Sequence, residues 1–277
     1  MSASPSSVPS HRDWTPTGSS RKPVLPRHDD FSLLRRLVEV ACIVAALLLL
    51  VWHLVRLAAA PGLSTWWLPV AVVGGALAAD FVSGLIHWTA DTWGSATMPL
   101  LGRRFVRPFR VHHINPDDFL RRSFLDTNGD VAGIVTGLLI AGLLLPLDAE
   151  WGRVTSVFLL AFCAVGLPTN QVHQWAHQSR PPRWVGVLQR CGLILSRRGH
   201  LHHHRSPYAA NYCIATGWCN RPLEAIGFFR RLERAVTWLT GLRPRHDDGE
   251  FDSMYGMPQN PSPRRSSACS DRRRSDP

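Results

Sequence analysis

Nine residues in this chain have the types and spacing that metal chemistry needs: His87, Asp91, His112, His113, His173, His177, His200, His203 and His204. His87 and Asp91 are four apart, as are His173 and His177, and His200 is followed at three and four by His203 and His204. On a helix each such set projects from one face. Converging neutral imidazoles suit Fe, Zn, Cu or Ni, whereas Mg and Ca would call for carboxylates and carbonyls. Asp91 fits either a carboxylate that orients His87 or a ligand in its own right. A lone structural zinc needs only four ligands, so eight histidines are enough for two ions.

These residues must be held by something, and the apolar pattern says what. Of 31 basic residues all but Lys22 are arginine, and they almost completely avoid the long apolar runs. Such segregation marks a membrane protein and argues against a nucleic-acid binder, for which no partner role is expected. Four crossings are expected: Leu37 to Ala60, Trp66 to Trp88, Val131 to Leu147 and Val154 to Thr169. Each is compared with a hydrocarbon layer roughly 30 Å thick. The first 30 residues and those from 248 to 277 are rich in Ser, Pro and Arg, and are expected to be disordered tails around a domain spanning 31–247. The fold class expected is therefore all-α, a polytopic membrane protein whose four transmembrane helices carry a histidine-rich cytoplasmic helical cap.

Loop charge orients the crossings. The first 36 residues hold 6 basic side chains, 89–130 hold 6 and the chain after 177 holds 17, while the loops 61–65 and 148–153 contain only Arg153. Both termini and the central loop are then expected to be cytoplasmic. Trp66, Trp67 and Trp151 fall where interfacial aromatics would lie on the opposite side. Every histidine of the chemical set lands on the cytoplasmic side, although none was used to derive that side. A His-His pair or an HLHHH run taken alone fits solvated surface, but surface histidines would not sort in this way.

Asp80 lies inside the second crossing, seven residues before His87 on the same helical face. An intramembrane carboxylate is a functional candidate, so Asp80 joins Asp91 as an expected catalytic residue, with a supporting role behind the ligands, or plain pairing with a neighbouring polar group, left open beside it. His11, His28, His53 and His246 are expected to be structural or solvated. The six cysteines show no CxxC spacing, so neither disulfides nor thiolate-bound metal is indicated. The stretch Trp184 to Leu195 is too short to cross and reads as interfacial. Residues 222–242 read as one amphipathic surface helix, and for both stretches a packed helix of a cytoplasmic core fits nearly as well.

Longer motifs carry a resemblance. DFVSGLIHWTADTWGS at 80–95, RPFRVHHINP at 107–116 with DTNGD at 126–130, NQVHQWAH at 170–177 and RRGHLHHHRSPYAANYCIATGWCNRPLEAIGFFRRLE at 197–233 resemble the Kua or CarF lipid desaturase family. That family includes plasmanylethanolamine desaturases, which make the vinyl-ether double bond of plasmalogens. SRRGHLHHHRSPY and HQWAH are also similar to the plant plastid enzyme that desaturates palmitate on phosphatidylglycerol. The resemblance implies a diiron, O2-dependent membrane desaturase acting on a phospholipid. It implies that His87, His112, His113, His173, His177, His200, His203 and His204 ligate two iron ions, with Asp91 in the same motif as His87. It also implies an external electron donor of the ferredoxin or cytochrome b5 type, because no electron-carrying cofactor motif is present. An acyl-chain desaturase or a lipid hydroxylase would use the same cage. Three positions depart from the plasmanylethanolamine branch, which has histidines where Arg122, Gly199 and Tyr208 stand here, and the plant branch also lacks the first and last of these.

Overall fold

The computed structural model describes residues 33–62, 66–95, 98–99, 101–114, 119–205 and 208–245. Both tails, with His11, His28 and His246, lie outside the described residues. Among those described, every regular element is helical. Four segments are long and apolar enough to cross a membrane: Leu33–Ala59, Leu68–Thr92, Phe124–Gly142 and Glu150–His177.

Beyond Arg35 and Arg36 in its first turn, the first crossing, α1 (Leu33–Ala59), contains Glu39, His53 and Arg56, and all three meet the third crossing, α4 (Phe124–Gly142). Near the start of both helices Glu39 is buried against Gly129, where an added Cβ would come within 2.6 Å of the glutamate. Halfway along, the His53 Nε2–H donates to the Leu139 carbonyl at 2.9 Å. At the far end Arg56 donates to the Leu143 carbonyl at 3.1 Å, satisfying a helix C-terminus that has no internal partner. The two helices therefore run parallel, start beside start. Because each polar group has a partner, none carries the desolvation cost of an orphan in hydrocarbon. His53 is structural, as expected from the sequence.

The second crossing, α2 (Leu68–Thr92), packs on α5 (Glu150–Gly166) through small residues. A Cβ on Gly75 would lie 2.3 Å from the Phe158 carbonyl oxygen, so only glycine permits this approach. Close approach of this kind is how helices gain dispersion energy where lipid removes the hydrophobic driving force. Ala46, Ala132, Val135, Leu139, Cys163 and Leu167 fill the centre of the bundle. Trp66 and Trp151 are exposed as interfacial aromatics should be, but Trp67 is buried against Leu57, Ala71 and Val157 and belongs to the core.

All four crossings differ by some residues from their expected bounds, and for the third and fourth the reason is identifiable. The third starts seven residues early because Ser123 and Asp126 form a capping box, Ser123 Oγ accepting the Asp126 N–H at 3.3 Å and Asp126 Oδ2 the Ser123 N–H at 3.1 Å. Hydropathy assigns DTNGD to a loop, whereas its side chains bond back within the helix, Asn128 Nδ2–H donating to the Phe124 carbonyl at 3.0 Å. The fourth crossing is two helices: α5 stops at Gly166, and Pro168, which cannot donate to a continuing helix, precedes α6 (Thr169–His177).

The cap consists of a π-helical turn (Gly102–Val106) leading into α3 (Arg107–Ile114), then α7 (Arg183–Arg190), α8 (Arg197–His203), α9 (Asn220–Ala225) and α10 (Phe228–Thr240). The single amphipathic helix expected over 222–242 is thus broken, because Gly227 adopts φ +61°, a left-handed conformation that ends α9 and starts α10. Trp238 and Leu239 on α10 are exposed, as are Trp184 and Val187 on α7, which gives both helices an uncovered apolar face.

Candidate metal centre

Four elements bring the histidines together. The last turns of α2 present His87 and Asp91, α3 presents His112 and His113, α6 presents His173 and His177, and α8 with its C-cap presents His200, His203 and His204. Two overlapping groups result. One holds His112, His173, His177, His200 and His204; the other holds His87, His112, His113 and His203, and in each group the ligand atoms lie within 4.8 Å of one another. His112 belongs to both.

The first group centres on His200, whose Nε2 lies 3.0 Å from His173 Nε2, 2.8 Å from His177 Nε2 and 2.9 Å from His204 Nε2. In the second group His203 Nε2 is 3.1 Å from His113 Nε2. Asp91 Oδ2 sits among the latter imidazoles, 3.2 Å from His87 Nε2, 3.5 Å from His113 Nε2 and 3.4 Å from His203 Nε2. Asp91 thereby adjoins three rings of the second group.

Whether these donors fit a cation is decided by their protons. The Nδ1–H of His87 donates to the Tyr212 carbonyl at 3.1 Å, and that of His203 to the Ala210 carbonyl at 2.8 Å. A carbonyl can only accept, so each ring carries its proton on Nδ1 and turns a bare Nε2 lone pair inward. Among the described residues, the buried Nε2 atoms of His87 and His112 have no hydrogen-bond partner. Burial pushes the pKa values of His112, His113 and His200 well down, and neighbouring imidazoles push them further. A neutral ring nitrogen can make one N–H···N bond, donating or accepting, yet His200 Nε2 has three neighbours at 2.8–3.0 Å, an arrangement that a cation between them would satisfy, so the donor set fits metal ions.

A loop after α8 supplies those carbonyls, and the way it is held favours the supporting alternative for Asp80. Asp80 Oδ1 accepts the Thr216 and Gly217 N–H groups, both at 2.8 Å, and Oδ2 accepts that of Cys219 at 2.9 Å. Asp80 is completely buried, and among the described residues its carboxylate bonds go to this loop rather than to the histidines. It is a positioning residue, not a member of either ligand group. Ser83, one turn along the same face, accepts the Ile214 N–H at 3.0 Å. Asn220 closes the loop on itself by accepting from Cys213 N and donating to Cys213 O, each at 2.9 Å. Gly84 lets the loop lie directly on α2, since an added Cβ would meet Cys213 Sγ at 2.4 Å.

Sequence reading missed Tyr212, Ser83, Asn220 and Gln174. Gln174 Nε2–H donates to the carbonyls of Phe119 at 2.7 Å and Arg122 at 3.0 Å, fixing the turn beside His112. Ser83 stands on the face that joins Asp80 to His87 and could have been found by that spacing; nothing local in the sequence marks Asn220. Of the three departures, Gly199 receives the Asn211 side chain on its carbonyl at 3.1 Å, and Tyr208 packs its ring 4.6 Å from that of His113 at φ +58°. Arg122 lines the cavity beside the histidines, and none of the three belongs to a ligand group.

That cavity, of about 410 Å³, runs between α2, α4 and α5. One end is formed by His112, His173, Phe109, Phe119 and Arg122, and the rest by apolar side chains such as Val82, Val131, Val135 and Phe162. Its flanking residues Ile86, Ile134 and Leu138 are exposed on the outside of the bundle, so it opens sideways, where lipid would lie.

A multi-pass helical membrane protein whose bundle ends in two histidine groups, with an apolar groove leading to them, is built to oxidise lipid chains. Residues 76–247 match the lipid desaturase domain, and the chain belongs to that family of oxidoreductases. It is 45% identical to a plasmanylethanolamine desaturase of Myxococcus xanthus over 213 residues, 77% of this chain and 76% of that one. It is 46% identical to plasmanylethanolamine desaturase 1 of Mus musculus over 186 residues, 65% of this chain and 68% of that one. With the chloroplastic fatty acid desaturase 4 of Arabidopsis thaliana it shares 36% identity over 179 residues, 64% and 54% of the two chains. No solved structure matches it. Membership of this family implies a lipid substrate and O2.

Proposed function

We propose that this desaturase acts on the ether-linked alkyl chain of an ethanolamine phospholipid and converts it to a vinyl ether, with two iron ions in the histidine groups. The observation that carries the reading is the 45–46% identity to plasmanylethanolamine desaturases from a bacterium and a mouse, against 36% for the chloroplastic acyl desaturase. His87, His113 and His203 with Asp91 would hold one ion, His173, His177, His200 and His204 the other, and His112 stands between them. Bound iron would supply the oxidising power for unactivated C–H bonds, with O2 as oxidant. Two hydrogens leave adjacent carbons, and with O2, two electrons and two protons they yield one double bond and two waters. The groove holds the chain so that its carbons lie against His112 and His173, and the aromatic walls Phe109 and Phe119 keep water away from them.

The two electrons would come from a separate acidic protein of the ferredoxin or cytochrome b5 type. Arg180, Arg183, Arg197, Arg198 and Arg205 are exposed around the half-buried His177 and His204, which suits electrostatic steering of such a donor. The charge bias of the loops supports placing this cap, and both termini, in the cytoplasm.

Expression in a host lacking the activity, with an alkyl-ether phosphoethanolamine lipid supplied, tests the reading. Acid-labile vinyl ether is expected, lost in His177→Ala and His203→Ala. A new acyl double bond without vinyl ether would overturn the ether-lipid reading and leave a desaturase; a hydroxylated chain would overturn both.

A further inference from the structure

The loop behind His87 carries two thiols that the metal centre does not use. Cys213 and Cys219 are six residues apart, a spacing with no motif in it, and the fold makes them neighbours. Asn220 does this by gripping both backbone polar groups of Cys213, which turns the chain back on itself. The Cys213 thiol then donates to the Cys219 sulfur, and the Cys219 Sγ–H donates onward to the Leu77 carbonyl at 3.4 Å. The pair is asymmetric. Cys213 is fully buried, whereas Cys219 is half-buried and within reach of a small solute. The bond from Cys213 holds the Cys219 thiol below its ordinary pKa, which favours the thiolate that peroxides attack. That same bond, together with burial, keeps the proton on Cys213. A reachable thiol beside a sheltered one is what a two-step oxidation needs, the first sulfur taking the oxygen and the second displacing it.

We propose that Cys219 is a site of oxidation by hydrogen peroxide and that Cys213 converts it to a reversible intrachain disulfide which slows turnover. The Cys219 sulfur takes one oxygen from the peroxide and releases a water, leaving a sulfenic acid. The Cys213 sulfur then forms the S–S bond, and that oxygen departs as a second water. Two thiols lose two hydrogens in all, and one peroxide gains them. The oxidant has a source in the reaction itself, since O2 that takes up two electrons and two protons with no lipid chain to oxidise leaves as hydrogen peroxide. The link to turnover is Tyr212, next to Cys213, whose carbonyl fixes the His87 ring at 3.1 Å. A covalent bond draws the sulfurs closer than the hydrogen bond does. Gly84 lies directly under Cys213 Sγ, Asn220 clamps the Cys213 backbone and Asp80 holds the Cys219 N–H, so the pair has little slack and the shift is passed to Tyr212. In a reducing compartment such a disulfide is transient and regulatory. An enzyme that spends electrons without substrate is thereby slowed until its thiols are restored.

The test treats the full chain, purified with its metal into nanodiscs, with a small excess of hydrogen peroxide, then alkylates the free thiols and digests with trypsin. Both cysteines fall in one peptide, 206–230, because Arg221 precedes a proline and is not cut. In the wild type this peptide should become lighter by two hydrogens and take up no alkyl group, and dithiothreitol should reverse the change. Turnover, read as new double bonds, should fall about tenfold in parallel, as expected when the partner behind a ligand is displaced, and should recover with the thiols. Cys219→Ser should form no such peptide and keep its turnover at the same peroxide dose. Cys213→Ala should accumulate a sulfenic acid on Cys219 that dimedone traps; if this buried substitution prevents folding, Cys219→Ser decides alone. A peptide that stays fully alkylated after peroxide, or equal inactivation of Cys219→Ser and the wild type, would overturn the site. A disulfide formed with unchanged turnover would overturn its effect on the enzyme. The peptide mass reports on the thiols whether the double bond formed is a vinyl ether or an acyl one, so failure of the ether-lipid reading leaves this result interpretable.

Discussion

The two histidine groups are built to different standards. The group of His87, His113 and His203 is tied down twice, by an acidic neighbour, Asp91, and by backbone carbonyls that fix the rings of His87 and His203 through Nδ1. The group around His200 has neither support in the same form. Among the described residues its central ring has no hydrogen-bond partner on Nδ1, and His177 and His204 reach the half-exposed surface of the cap. Partners behind a ligand typically change metal affinity by about 10–100-fold. One group is thus a preorganised holder, the other a more open site nearer the arginine-rich surface, and His112 joins them.

The largest effect should come from the shared ring. His112→Ala should lower desaturation by roughly 1,000-fold or more and reduce bound metal from both groups, because a ligand is lost to each. Metal analysis that still finds two ions per chain would break the idea of a shared ligand. Next is Asp80→Ala, which leaves three buried N–H donors without their carboxylate. About 3–5 kcal/mol of stability should be lost, read from thermal unfolding in detergent. The metal that survives should be retained mainly by the His200 group, since the loop from Ala210 supports the other. Chelator titration of the wild type should sharpen the comparison without mutation. Release should be biphasic, the His200 group losing its ion roughly tenfold faster, with His177→Ala abolishing the fast phase only. The smallest expected change is Gln174→Ala, which removes two hydrogen bonds to the Phe119–Arg122 turn and should cost about 1–2 kcal/mol, with activity reduced more than metal content.

Much of this arrangement was legible from spacing. Four crossings and the convergence of eight histidines follow from hydropathy, charge and i,i+4 intervals, because those are local or additive properties. What resisted reading was pairing across the sequence. Asp80 carries an intramembrane charge, which is also what a catalytic group would show; only the fold reveals that its partners lie 136 to 139 residues away. The early start of α4 was hidden because hydropathy counts Asp126 and Asn128 as loop formers, whereas a capping box turns the same residues into a helix start. Similarly, Gly227 sits in an apparently continuous amphipathic pattern and breaks it through a backbone conformation that periodicity does not register. That His112 serves both groups could not be seen from HH at 112–113, where either neighbour is an equal candidate.

The sideways opening of the groove has a kinetic consequence. A substrate that arrives through Ile86, Ile134 and Leu138 never passes through bulk water, so encounter is diffusion in two dimensions. The relevant concentration is the mole fraction of substrate lipid in the bilayer. Diluting the substrate with inert phospholipid at constant total substrate should slow turnover, while diluting the whole vesicle suspension in buffer should leave the rate per enzyme unchanged.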